Sequence, residues 1–107
     1  MASIVMMQGD SYYIPFKFYD EDGTQITSDM VDDVEIVIDG VRKTLAEDEI
    51  EYDSEDDSFL WPLSQEESFA FDEFADIQAR VRFTSGDVVG VAFGSAYVQE
   101  SASKVEL

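Results

Sequence analysis

Apolar and polar residues alternate along this chain with a period of two, the signature of strands with one buried face, rather than the 3.6 of an amphipathic helix. Around Tyr12–Tyr19 the even positions Tyr12, Ile14, Phe16 and Phe18 form one apolar row, and Tyr13, Pro15, Lys17 and Tyr19 form a mixed one. Pro15 has no N–H to give to a ladder, which predicts a sheet edge or a bulge. Asp20-Glu21-Asp22-Gly23 then reads as a turn. Val34, Ile36 and Ile38 alternate with Glu35, Val37 and Asp39, and Asp39-Gly40 is a favoured hairpin dipeptide leading into Val41–Leu45. Phe59–Leu63, closed by Trp61-Pro62, predicts another strand. Ile77, Ala79, Val81 and Phe83 face one way while Gln78, Arg80, Arg82 and Thr84 face the other, and Ser85-Gly86-Asp87 turns the chain back. The last long strand, Val88–Val98, places Gly90 and Gly94 on one face and Val89, Val91, Phe93 and Tyr97 on the other, which predicts a bulge or the close approach of a neighbour. Ile4–Met7 is a weaker first strand, set off by Gln8-Gly9-Asp10.

Two segments break the rhythm. Ser64-Gln65-Glu66-Glu67 matches a capping box, which predicts a helix of one to two turns before Phe69 and Phe71. A second helical turn is expected over Ser28–Asp33, with Ser28 or Asp29 as its cap. Short strands at this spacing with one helical crossing predict an all-β domain, a sandwich or a small barrel. The chain has 107 residues, which suits one domain; residues 1–100 are assigned to it and Ser101–Leu107 to a tail leaving it.

Composition narrows the function more than the fold. There is no Cys and no His, which removes disulfides, thiol nucleophiles, Ser-His-Asp triads and the usual zinc sites. Six basic residues stand against 25 acidic ones, a formal charge of −19. Such a field repels nucleic acids and anionic membrane surfaces. The start has no basic stretch and only four consecutive apolar residues, Ile4 to Met7, too few for a secretory signal or a membrane span. Synthesis and folding are expected in the cytoplasm.

The acids are concentrated. Eight of the eleven residues from Glu47 to Asp57 are acidic, and 13 acids lie within Leu45–Gln78, where no Lys or Arg interrupts them. A calcium site needs converging oxygen ligands, and the Asp-x-[Asp/Asn]-x-[Asp/Asn]-Gly loop is absent, so a solvated acidic hairpin is the plainer reading. Two alternatives stay open: an acidic Ca²⁺-binding module, and a DNA mimic inhibiting a nucleic-acid enzyme. Paired carboxylates as in glycosidases are uninformative among 25 acids, and there is no phosphate-cradling glycine loop or Gly-x-Ser-x-Gly elbow. No catalytic residue, metal ligand, cofactor or small-molecule substrate is assigned. Arg80 and Arg82 share an outward face, where they pair with carboxylates or anchor an acidic patch on a partner. Trp61, Tyr12 and Tyr13 are either core residues or interface anchors.

Several spaced features add up to a resemblance. Gln8-Gly9-Asp10-Ser11 precedes the second strand and Asp20-x-Asp22-Gly23 follows it. Leu63-Ser64-Gln65-Glu66-Glu67-Ser68-Phe69 precedes Ile77–Arg82, Ser85-Gly86-Asp87-Val88 makes the last hairpin, and Ser101-x-Ser103-Lys104 follows. In this order they resemble small tail or baseplate-module proteins of siphophages and prophages, and the immunoglobulin-like N-terminal domain of phage baseplate upper proteins. The resemblance implies an immunoglobulin-like antiparallel sandwich of about seven strands. It also implies a non-catalytic assembly subunit, made in the bacterial host cytoplasm and carried in the virion tail. Its partners would be other tail or baseplate proteins or further copies of itself.

Overall fold

Burial follows the two-residue period wherever a strand is long. In the computed structural model, which describes residues 4–107, the strand Phe74–Phe83 buries Ala75, Ile77, Ala79 and Val81 and exposes the residues between them. The strands are β1 (Ile4–Met7), β2 (Tyr12–Phe16), β3 (Val31–Ile38), β4 (Val41–Thr44), β5 (Glu51–Asp53), β6 (Ser58–Leu63), β7 (Phe74–Phe83) and β8 (Val88–Gln99), with helix α1 (Gln65–Ala70) between β6 and β7. They form a five-stranded sheet in the order β1-β8-β7-β3-β4 and a three-stranded sheet in the order β2-β6-β5.

The order β8-β7-β3-β4 against β2-β6-β5 is that of strands GFCC′ against BED in an immunoglobulin-like sandwich. Eight strands are present where about seven were expected, and one pairing departs from the antiparallel rule: β1 runs parallel to β8. Pro15 lies on β2, an edge strand, as its missing N–H requires. β2 ends at Phe16; beyond it Phe18 stays buried, and an isolated bridge joins Tyr19 to Gln25 around the Asp20–Gly23 turn. Asp39 and Gly40 both take positive φ, 49° and 81°, the conformation of a two-residue hairpin turn between β3 and β4. The helical turn near Ser28 is a 3-10 turn over Ser28–Met30; its cap position is Thr27, not Ser28 or Asp29, and no side chain caps it.

In β8 the register slips by one between Ala79 and Arg80, so Val91 is the extra residue of a bulge. This reverses part of the expected face assignment. Ala96 and Val98 point into the core, on the same side as Gly94, and Tyr97 points out. A bulge is one of the two outcomes the glycines predict, but Gly90, level with Arg80, faces outward and Gly94, level with Ile77, inward, so the two do not share a face and Tyr97 does not share that of Val89.

The two sheets bring complementary volumes. β7 and β8 pair Ala75 with Ala96 and Ala79 with Ala92, while the small sheet supplies Phe16, Phe59 and Trp61 and the segment after β2 adds Phe18. Phe16, Phe18, Phe59 and Tyr52 form a chain of rings with centroids 4.9–6.1 Å apart. Trp61 is fully buried, and its indole N–H donates at 3.0 Å to the Ile36 carbonyl of the opposite sheet. Lys43 lies over that indole, 4.1 Å from the ring centre, and bonds both the Pro62 carbonyl and the Glu67 carboxylate. The pair closes one side of the sandwich.

Glu67 also completes the predicted capping box, with Ser64 Oγ accepting from the Glu67 amide at 3.1 Å and the Glu67 carboxylate accepting from the Ser64 amide at 2.8 Å. Burial works to raise the Glu67 carboxyl, but the Lys43 and Ser64 hydrogen bonds outweigh it and hold the group below the ordinary carboxylate range.

The short helix pins the β1–β2 turn. Gly9 donates to Ser68 Oγ at 2.9 Å and accepts from the Gln65 side chain at 3.0 Å, while the Ser68 hydroxyl donates to the Asp10 carbonyl at 2.8 Å. Gly9 has φ +90°, and a Cβ there would stand 3.0 Å from the Phe69 ring. Residues 101–104 do not simply leave the domain. Gln8 Oε1 accepts from the Ser101 amide at 3.1 Å and from Lys104 at 2.7 Å.

Two outcomes test this reading of the core. Trp61→Ala should cost about 3–5 kcal/mol in denaturant unfolding, and Trp61→Phe about 1–2 kcal/mol because only the donor and part of the ring are lost. Glu67→Gln keeps the capping geometry and should cost about 1 kcal/mol at neutral pH. Because the folded-state carboxyl titrates lower than the unfolded one, its stabilisation is complete above about pH 4.3 and is lost as pH falls through the folded value. The wild type and Glu67→Gln should therefore converge in acid, as read by urea midpoints across a pH series.

A candidate docking face

The outward positions of β7 are Phe74, Asp76, Gln78, Arg80 and Arg82, all exposed. Because β7 is the middle strand of the larger sheet, they form the centre line of a broad open face. The face has two ends of different chemistry.

One end is apolar. Tyr97 of β8 is the cross-strand partner of both Phe74 and Val5, so the three stand in one row across β7, β8 and β1. Phe74 is 65% exposed, Val5 59% and Tyr97 38%, with the Phe74 and Tyr97 rings 5.4 Å apart. Met7, also exposed, extends the row along β1.

The other end is an arginine cluster. Arg80 Nη2 lies 2.7 Å from Glu35 Oε1, and Arg42 bonds the other oxygen of the same carboxylate. The Arg42 hydrogen bond, against partial burial and with help from Arg80, holds the Glu35 carboxyl below its ordinary value. Arg82 lies beside Asp33 in register, but the Asp33 carboxylate is taken by the Val34 and Ala46 amides. Among the described residues Arg82 is the one basic side chain outside an ion pair. A shallow groove of about 270 Å³ runs between Glu35, Arg42, Arg80, Arg82 and Val88.

Charge on this face is close to balanced. Arg42, Arg80 and Arg82 meet Asp33, Glu35 and Asp76, with Asp32 at a bulge in β3 and Glu47 at the rim. Half of the six basic residues lie here, in a chain of charge −19, so nearly all of the excess is carried elsewhere.

The residues singled out from sequence do not gather into one surface. Arg80 and Arg82 share the face, and Arg80 pairs with a carboxylate on a neighbouring strand as expected. Tyr12 and Tyr13 are exposed, at 41% and 52%, but belong to the other sheet. Trp61 is fully buried, which removes it as an interface anchor. Val5, Phe74 and Tyr97 were missed. Phe74 has the outward parity of Arg80 and Arg82, which was legible; Tyr97 was hidden by the bulge.

Much of the acidic segment builds its own turns. Tyr52 donates to Asp57 at 2.8 Å, Asp53 accepts from the Glu55 amide at 3.0 Å, Glu49 accepts from the Thr44 amide at 3.1 Å, and Lys17 pairs with Asp56 at 3.1 Å. Burial and the neighbouring Asp57 push the Tyr52 phenol up. Among the described residues no group of three or more acidic side chains is arranged to hold a metal ion, and no helix is long and apolar enough to cross a membrane. Compared with protein-family models, characterised proteins and solved structures, the chain matches none of them.

An exposed row that serves contact rather than folding should be cheap to remove. Phe74→Ser and Tyr97→Ser should each lower stability by only about 0.5–1 kcal/mol, the worth of a cross-strand aromatic pair, against the several kcal/mol expected at Trp61. Thermal or denaturant melts of the two variants check this.

Proposed function

We propose that this protein is a non-catalytic assembly subunit of a phage or prophage tail, in the baseplate region, which acts by docking through the outer face of its five-stranded sheet. The observation that carries the docking part is the Val5–Tyr97–Phe74 row, solvent-exposed apolar side chains on a face of nearly balanced charge. Rows of exposed aromatics are costly on a surface without a partner, and aromatic and arginine side chains are the usual anchors of protein interfaces. Elsewhere the negative charge keeps free subunits apart and discourages contacts at other surfaces.

The tail assignment rests on the motif resemblance. Its Gln8-Gly9-Asp10, Leu63–Phe69 and Ser101–Lys104 stretches meet at one end of the domain, where they tie the β1–β2 turn to α1 and to the residues after β8. That convergence gives the spaced motifs a common physical purpose, which supports treating them as one signature. The virion location follows from the same reading.

The purified chain should bind through this face, to one of the tail proteins encoded beside its gene or to a further copy of itself, and Phe74→Ser or Tyr97→Ser should weaken that binding by about tenfold while leaving the fold intact. Calorimetric titration against each neighbouring product measures this. A gene neighbourhood of metabolic enzymes, or binding unaffected by both variants, would overturn the reading.

A further inference from the structure

The outward side chains of β7 read Phe74, Asp76, Gln78, Arg80, Arg82, and this series is complementary to its own reverse. We infer that the partner of this face is a second copy of the same chain, packed face to face about a two-fold axis that crosses β7 at Gln78. The inference deepens the docking reading above and rests on it.

An axis lying in the interface and perpendicular to the strands sets β7 against β7 of the partner, running in opposite directions. Gln78 then meets its own counterpart. Asp76, exposed and without an ion-pair partner among the described residues, comes opposite Arg80; Phe74 comes opposite Arg82, the basic side chain left unpaired in the monomer. Each contact off the axis occurs twice, as an isologous interface requires. The neighbouring strand follows the same rule. Tyr97 is level with Phe74 and Val88 is level with Arg82, so Tyr97 meets the exposed Val88 of the other copy. On the other side Val37, level with Gln78, meets Val37. Along β7 and β8 ion pairs, cation–π contacts and apolar contacts thus fall in register; on β4 Arg42, level with Val37, comes opposite its own counterpart, each held by Glu35 of its own chain. Packed sheets cross at about 30°, which displaces the ends of β7 sideways by about one strand spacing, a gap that an arginine side chain spans.

Area and charge agree with this occupant. Strand spacing and rise put the face on the order of 600 Å² per copy, or about 1,200 Å² for the pair, the lower bound of specific interfaces. Two chains of charge −19 repel strongly, and this face, which carries three of the six basic residues, is where they approach at least cost. Salt screens the repulsion between the distant acidic surfaces more than it weakens contacts buried in the interface, so moderate salt should strengthen the dimer.

Sedimentation equilibrium of the full chain over the micromolar range, at physiological and at elevated NaCl, tests the pairing. The wild type should dimerise, more tightly at the higher salt. Asp76→Arg and Arg80→Asp should each weaken the dimer by about tenfold or more, because each puts like charges face to face twice. An equimolar mixture of these two variants should pair again, since both reversed contacts are then matched. Circular dichroism confirms that each variant is folded. A wild type that stays monomeric at every salt, or a dimer indifferent to both reversals, or a mixture that fails to pair, overturns the inference. If a monomeric chain still binds a tail protein through Phe74 and Tyr97, the docking reading survives and the self-pairing alone falls.

Discussion

The sandwich is held together across its middle by an indole. Trp61 fills the space between the sheets and spends its one donor on the Ile36 carbonyl of the facing sheet, so removing it opens a large cavity and leaves one carbonyl without that donor. With no cysteine in the chain, no disulfide links the two layers. Lys43 reinforces the contact in an economical way. One ammonium lies over the indole face, bonds the backbone beside it at Pro62, and pairs with the glutamate that caps α1. The crossing helix, the edge strand β4 and the central tryptophan are therefore tied to one another through a single side chain.

That arrangement leaves the outer face of the large sheet free of structural duty. The side chains that hold the fold point inward or lie along the Lys43 side, and those on the face are tied by the Glu35 cluster, the Asp33 bonds to the Val34 and Ala46 amides and the Phe74–Tyr97 ring contact. A sheet whose inner side alone is needed for folding can vary its outer side with little penalty, and function is commonly installed at such places. Here that side is unusual in a charge-rich molecule for being nearly neutral and aromatic at one end.

The strands were legible because their burial is one-sided and regular. Val34, Ile36, Ile38 and the Ala75-to-Val81 series follow the two-residue period without exception, and the Asp39-Gly40 turn and the Ser64–Glu67 capping box depend on local chemistry alone. What lay out of reach depends on distant partners. The parallel pairing of β1 with β8 has no local signal, and neither has the capture of residues 101–104 by Gln8. The candidate face was half visible. Arg80 and Arg82 show by parity, but exposure cannot be told from burial for an aromatic residue in an alternating row, so the sequence leaves Trp61 open between core and interface and does not single out Phe74.

The extra residue at Val91 governs more than its own neighbourhood. A strand with a single insertion changes phase there, and every side chain on one side of the insertion is turned over relative to a regular strand. Tyr97 stands outward beside Phe74 because that phase is reset about 20 Å away along the strand. The character of the apolar end is thus written into the backbone at the opposite end of β8. Were the strand to run through that point without a bulge, its sequence unchanged, Val98 would stand outward in place of Tyr97, converting a sticky surface into a plain one without touching any residue of the surface itself.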